Sequence, residues 1–167
     1  PQEKGRADTM TQKKVFRIDT VYRKEIEWLR WYYKRDSRNP KRTILEQHIA
    51  DRVETLESPY HATDANGTIK RSGNGRKSEA ERVLVAKEND TKLSKYLTIK
   101  RALDDITERT DAALLTAIKE VYVYRSINLI GAASRYMFVS ERTAYYRVKE
   151  WLEEFSDELF NPRHRSG

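Results

Sequence analysis

Residues 126–155 read SINLIGAASRYM-FVS-ERTAYYRVKEWLEEF, and the reading of this stretch decides the fold. The pattern is a helix, a tight turn and a second helix. Ser126 stands where a helix N-cap is expected, and Gly131, Ala132, Ala133 and Ser134 are small enough for another helix to cross closely. Phe138-Val139-Ser140 interrupts the pattern, and the Ser140 hydroxyl can cap the second helix. Ala144, Val148, Trp151, Leu152 and Phe155 then recur at the spacing of one buried helical stripe. At about 100° per residue, Arg142, Tyr146 and Lys149 fall on the opposite face, with Tyr145 and Arg147 on its flanks. A buried stripe backed by Arg, Tyr and Lys is what a helix lying in a DNA major groove requires. A helical hairpin with a solvated basic face satisfies the same pattern.

Working outward, residues 110–125 hold a supporting helix, opened by Thr110 and Asp111, with Leu114, Leu115, Ile118, Val121 and Tyr122 inward. Before it, Ser78-Glu79-Ala80-Glu81 forms a capping box that opens one long helix over 78–108. There Tyr96, Ile99, Leu103 and Ile106 alternate threes and fours, a short coiled-coil-like seam. Residues 60–77 change character: glycines among polar residues, with Lys70, Arg71, Arg76 and Lys77 against Asp64, read as a flexible basic linker. Its GNGRKS lacks the glycine that a phosphate-binding loop places directly before lysine, and Asn66-Gly67-Thr68 is a glycosylation sequon only in a secreted chain.

Residues 15–59 spell an N-terminal helical hairpin. Ile18, Val21, Tyr22, Ile26, Leu29, Tyr32 and Tyr33 make the first stripe, and Trp28 and Trp31 lie off it. That helix therefore has two faces to cover, by an oligomer or partner, or by a small core within one chain. Asn39-Pro40 breaks the pattern. Thr43 caps a second helix carrying Ile44 or Leu45, Ile49, Val53 and Leu56. Residues 1–14 read as a mobile basic tail. The expected fold is thus all-α: hairpin, flexible basic linker, long helix, and a helix–turn–helix domain over 110–160.

Charge points to the partner. Lys and Arg outnumber Asp and Glu by 33 to 26, and for a chain expected in the cytoplasm a net +7 favours nucleic acid among polyanions. Residues 125–149 carry five bases against Glu141, whereas 150–158 carry five acids and no base, so positive charge sits on the motif. On these grounds Arg142 is placed for a guanine edge and Tyr146 for a thymine methyl or a phosphate. Arg135, Arg147 and Lys149 are placed for phosphates, and Tyr145 either for DNA or for the core. The acidic end reads as a solvated helix end, or as a surface for a basic partner.

Catalysis finds no foothold. His48, His61 and His164 are dispersed, the adjacent Asp104 and Asp105 point about 100° apart, and no nucleophile elbow or cofactor loop occurs. The absence of cysteine excludes disulfides and thiolate metal sites. No run is long and apolar enough to span a membrane, and no cofactor is expected.

The C-terminal pattern, AALLTAIKEVYVY followed by VSERTAYYRVKEWLEEF, resembles the promoter-reading C-terminal part of sigma factors. More narrowly, the layout from about Tyr22 resembles the RinA/ArpU family of phage late transcriptional regulators. It shares an early YRKEIEWLRWYYK helix, a polar Gly- and Arg-bearing linker, a long helix and a final YYRVKEWLEEF. The resemblance implies a DNA-binding activator of phage or prophage packaging and structural genes in the cytoplasm of a bacterial host. Double-stranded DNA is then the partner, with RNA polymerase and a second copy of the chain as further candidates. It also implies that Ser140 is the cap and that Arg142, Thr143, Tyr146 and Arg147 face the groove. Ala133 stands where the family usually carries an aliphatic residue. A phage small terminase subunit, which reads packaging-site DNA, is the alternative with the same parts.

Overall fold

Side-chain caps divide the chain into its helices. In the computed structural model, which describes residues 18–58 and 78–161, regular structure is entirely helical and the fold is all-α. The helices are α1 (Arg23–Tyr33), α2 (Ile44–Glu57), α3 (Glu79–Asn89), α4 (Thr91–Arg109), α5 (Ala112–Ile118), α6 (Leu129–Ala132) and α7 (Glu141–Phe160). Lys119–Val123 and Ala133–Met137 prolong α5 and α6 as wider π-turns. Thr43, Ser78, Asp90, Asp111, Asn128 and Ser140 each accept the backbone N–H three residues on, satisfying one of the orphan donors at a helix start. Only α1 lacks such a cap. A helical turn over residues 18–21 leads into it, and the Ile26 amide donates to the Tyr22 carbonyl at 2.9 Å.

The helix expected over 78–108 is two helices. Asp90 leaves the helical region (ψ 117°), and its carboxylate caps α4 through the Leu93 amide at 2.7 Å. Arg52 on α2 holds the same carboxylate with two hydrogen bonds of 3.0 and 2.6 Å. The break lets α4 turn inward while α3 stays on the surface: Leu93, Ile99, Ala102, Leu103 and Ile106 are buried on α4, and α3 buries none of its residues. At Ser78 the hydroxyl half of the capping box forms, the Glu81 amide donating to the Ser78 hydroxyl at 3.2 Å, and beside it Glu79 pairs with Arg82.

Both faces of α1 are covered within one chain. Ile26 and Leu29 enter the core, Trp28 meets Phe155 of α7 edge-on at 6.4 Å, and Trp31 meets His48 and Tyr96 at 4.8 and 6.3 Å. His48 is thereby a packing residue, stacked on Tyr96 at 5.5 Å. A single buried cluster runs through α1, α2, α4, α5, α6 and α7, so the hairpin and the C-terminal helices share one core. The seam Ile99, Leu103 and Ile106 is fully buried inside it. The expected basic tail (1–14) and linker (60–77), with the GNGRKS and sequon motifs, lie outside the described residues, as do His61 and His164. No helix among the described residues is long and apolar enough to cross a membrane.

The Asp90 clamp has a pH signature. The Arg52 hydrogen bonds, with the Leu93 amide, lower the Asp90 pKa to about 2. A folded pKa below the unfolded value of about 3.9 means the clamp stabilises fully above pH ~4 and is lost as pH falls toward 2. Folding stability followed by urea titration is expected to fall across that window, and Asp90→Asn is expected to remove part of the fall. An unchanged acid profile in the variant would assign the acid sensitivity to other carboxylates.

Candidate nucleic-acid interface

The three C-terminal helices pack on one another, and each junction between them is set by one residue at positive φ. Arg125 (φ 55°) stops the α5 unit. Ser126, expected to cap α6, instead closes the helix before it: its amide donates to the Glu120 carbonyl at 2.9 Å and its hydroxyl donates to the Glu120 carboxylate. Asn128 is the cap of α6, accepting the Gly131 amide at 2.8 Å. A Cβ at 131 would lie 2.7 Å from the Ile127 side chain, so a larger residue there requires that side chain to shift. Ala132 and Ala133 are buried at the helix crossing, as their size predicts, whereas Ser134 is exposed.

Phe138 (φ 55°) makes the turn between α6 and α7, with the Val139 amide donating to the Ala133 carbonyl at 3.1 Å. A phenylalanine in the left-handed region is costly, and this one is 84% exposed. Ser140 then caps α7 through the Thr143 amide at 3.2 Å.

From this cap α7 projects the side chains singled out in the sequence. Ala144, Val148, Trp151, Leu152 and Phe155 are all buried, and the Trp151 indole N–H donates to the Thr110 hydroxyl at 2.8 Å. On the outer side Arg142 is exposed with its guanidinium 5.8 Å from the Tyr146 ring, and Tyr146 and Arg147 are exposed beside it. Arg135 is exposed on α6, 5.7 Å from the Tyr136 ring. These four form the accessible set. Thr143 is half-buried, its hydroxyl 2.9 Å from that of Ser140 and so engaged in the cap. Tyr145 and Lys149 lie on the flank that faces the N-terminal segment, lining a cleft with Ile18, Val21 and Tyr22. Tyr145 packs against the core there, and the Lys149 ammonium is 3.8 Å from Glu153.

No family model, curated protein or solved structure matches the chain.

The acidic end of α7 is an anchoring surface within the chain. Arg109 bridges Glu154 and Glu158 at 2.8 Å each, and the Tyr22 hydroxyl donates to Glu153 at 3.0 Å. Burial, with the neighbouring Glu153, pushes the Tyr22 pKa up to about 12. Among the described residues no three His, Cys, Asp or Glu side chains gather as a metal site. Residues 34–42, KRDSRNPKR, stand out in the sequence only as a proline break between helices. The signal they do carry is composition, five bases against one acid.

Proposed function

We propose that the chain binds double-stranded DNA in a sequence-specific manner through α7. The observation that carries this reading is the outer side of α7: exposed Arg142, Tyr146 and Arg147 above a serine-capped turn, backed by a stripe that is completely buried. A helix so backed can enter a major groove without uncovering its core. Arg142, in the first turn, is assigned to a guanine edge by a bidentate contact, and Tyr146 to a thymine methyl or phosphate. Arg135 and Arg147 are assigned to phosphates, which set register and salt dependence but read no bases. Lys149 is assigned a lesser, edge contribution because of its place beside Glu153. On the resemblance to the phage late regulators, the DNA is a promoter ahead of packaging and structural genes, and the protein activates transcription there, with RNA polymerase as a further partner.

The test is capture of fragments of the parent genome by the purified chain at near-physiological salt, followed by sequencing. Enrichment of a promoter region ahead of packaging and structural genes is expected. Enrichment within a terminase gene or at a genome end would replace the regulator with a packaging protein that reads DNA in the same way. No enrichment would overturn DNA recognition itself.

A further inference from the structure

We infer that residues 34–42, with Lys119 and Arg125, form a second surface that contacts the DNA backbone beside the helix–turn–helix. The inference rests on the DNA-binding reading above and adds a contact surface to it.

Charge distribution is the first observation. Residues 34–42 and residues 125–149 each hold five bases against one acid, a net of +4 apiece, in a chain whose total is +7. These two segments therefore exceed the whole positive excess of the protein, and they are far apart in sequence.

The fold brings the first segment next to the start of the second. The last turn of α1 packs on the π-turn that ends α5: the Arg30 Nε donates to the Tyr122 carbonyl at 3.0 Å, and the Lys119 ammonium sits 5.0 Å from the Tyr33 ring. Lys34 and Arg35 follow Tyr33 directly, and Arg125 follows the π-turn by two residues. Burial raises the Tyr33 pKa, with smaller contributions from Tyr32 and then Tyr124. Arg125 in turn leads into α6, the first helix of the motif, which in this class of interface crosses the DNA backbone.

The loop is also built rather than loose. Asp36 is 9% exposed and accepts the amides of Arg38 and Asn39 at 2.8 and 3.2 Å. Burial opposes its charge, but these amides and the Arg38 guanidinium outweigh it and hold the carboxyl below its ordinary value. The Asp36 amide donates to the Arg42 carbonyl, Ile44 to the Lys34 carbonyl, and Arg35 Nη1 to the Lys41 carbonyl at 3.3 Å. The single acid of the loop is thus turned inward and consumed by its backbone, while all five bases are exposed. Arg38 is shared with Asp36 and Asp51. Lys34, Arg35, Lys41 and Arg42 have no carboxylate partner among the described residues.

Like charges held in a fixed loop repel one another, so their arrangement favours a polyanion that meets them without further ordering. Duplex DNA, with one phosphate per about 1.7 Å of axis, is that polyanion, and backbone contacts of this kind are read out as salt dependence. An acidic protein would satisfy the charge but not the adjacency to the motif.

The experiment uses the full chain carrying Lys34→Gln, Lys41→Gln and Arg42→Gln together, which leaves the structural Arg35 and Asp36 intact. Binding to a random-sequence duplex is measured by fluorescence anisotropy across a salt series, because phosphate contacts need no target site. The slope of log K against log salt is expected to become shallower by about 2–3 units, near 0.9 per phosphate contact. A charge-preserving variant, Lys34→Arg, Lys41→Arg and Arg42→Lys, is expected to keep the parent slope. An unchanged slope in the glutamine variant would overturn this inference and leave the function of α7 standing. Equal losses in both variants would mark a folding effect and overturn it too. Absence of salt-dependent binding by the parent chain would overturn both readings together.

Discussion

Phe155→Ala is expected to cost about 3–5 kcal/mol of folding stability, the range for truncating a buried aromatic side chain. Phe155 is fully buried on α7. Its ring is edge-on to Trp28 of α1 at 6.4 Å and tilted against Trp151 at 6.0 Å. Aromatic pairs of this geometry add about 0.5–1.5 kcal/mol beyond the area they bury. Small domains have only about 5–15 kcal/mol in total, so the variant should be close to unfolding at growth temperature. The position also tests how the chain is organised. Because the Trp28 contact ties the hairpin to α7 inside one core, urea unfolding read by tryptophan fluorescence and by circular dichroism should give coincident transitions that shift together. Two separated transitions, of which only one moves, would show that hairpin and motif fold apart. Phe160→Ala, five residues further on and 76% exposed, is expected to stay within about 0.5 kcal/mol.

The stripe of α7 is legible in the sequence for a simple reason. A serine cap, a twenty-residue helix and an uninterrupted apolar spacing all agree, and local geometry alone then fixes which side Arg142 and Tyr146 occupy. Where sequence and structure part, the deciding contact is distant or the deciding event is in the backbone. The break at Asp90 depends on Arg52, a residue of another helix, while the apolar periods on either side run on almost in phase. Ser126 and Asn128 are both good caps only two positions apart. The left-handed Arg125 chooses between them, and nothing about an arginine announces positive φ. The π-turn after α5 shifts the register, so Val123 is buried and Val121 only half-buried, the reverse of what an ideal helix would place there. Helical periodicity puts Lys149 on the outer face and Tyr145 on its flank, but both line a cleft with Ile18, Val21 and Tyr22, more than a hundred positions away. The basic loop is visible as composition; its rigidity becomes visible only with Asp36 turned inward.

Arg142→Ala is expected to reduce the preference for a target duplex over random DNA by about 1–3 kcal/mol, roughly 5- to 150-fold, with little change in binding to random DNA itself. The expectation comes from place and chemistry together. Arg142 is the second residue of α7, next to a cap held by Ser140, so its backbone is fixed where recognition helices meet base edges. Its guanidinium lies 5.8 Å from the Tyr146 ring, a cation–π contact worth about 0.5–1 kcal/mol at an exposed site, which limits the directions the side chain samples. Tyr146→Ala should therefore also weaken discrimination, and the double variant should lose less than the sum, since the two side chains touch. Lys149→Ala provides the contrast: half-buried beside Glu153, it should lower affinity for target and random duplexes by the same small factor. Competition binding with the enriched fragment and a random duplex measures both ratios. Equal losses on the two duplexes for Arg142→Ala would move that side chain from base reading to phosphate contact. The sequence preference would then have to come from Tyr146, Arg147 or the shape of the DNA, because the remaining exposed base of the motif, Arg135, lies on α6.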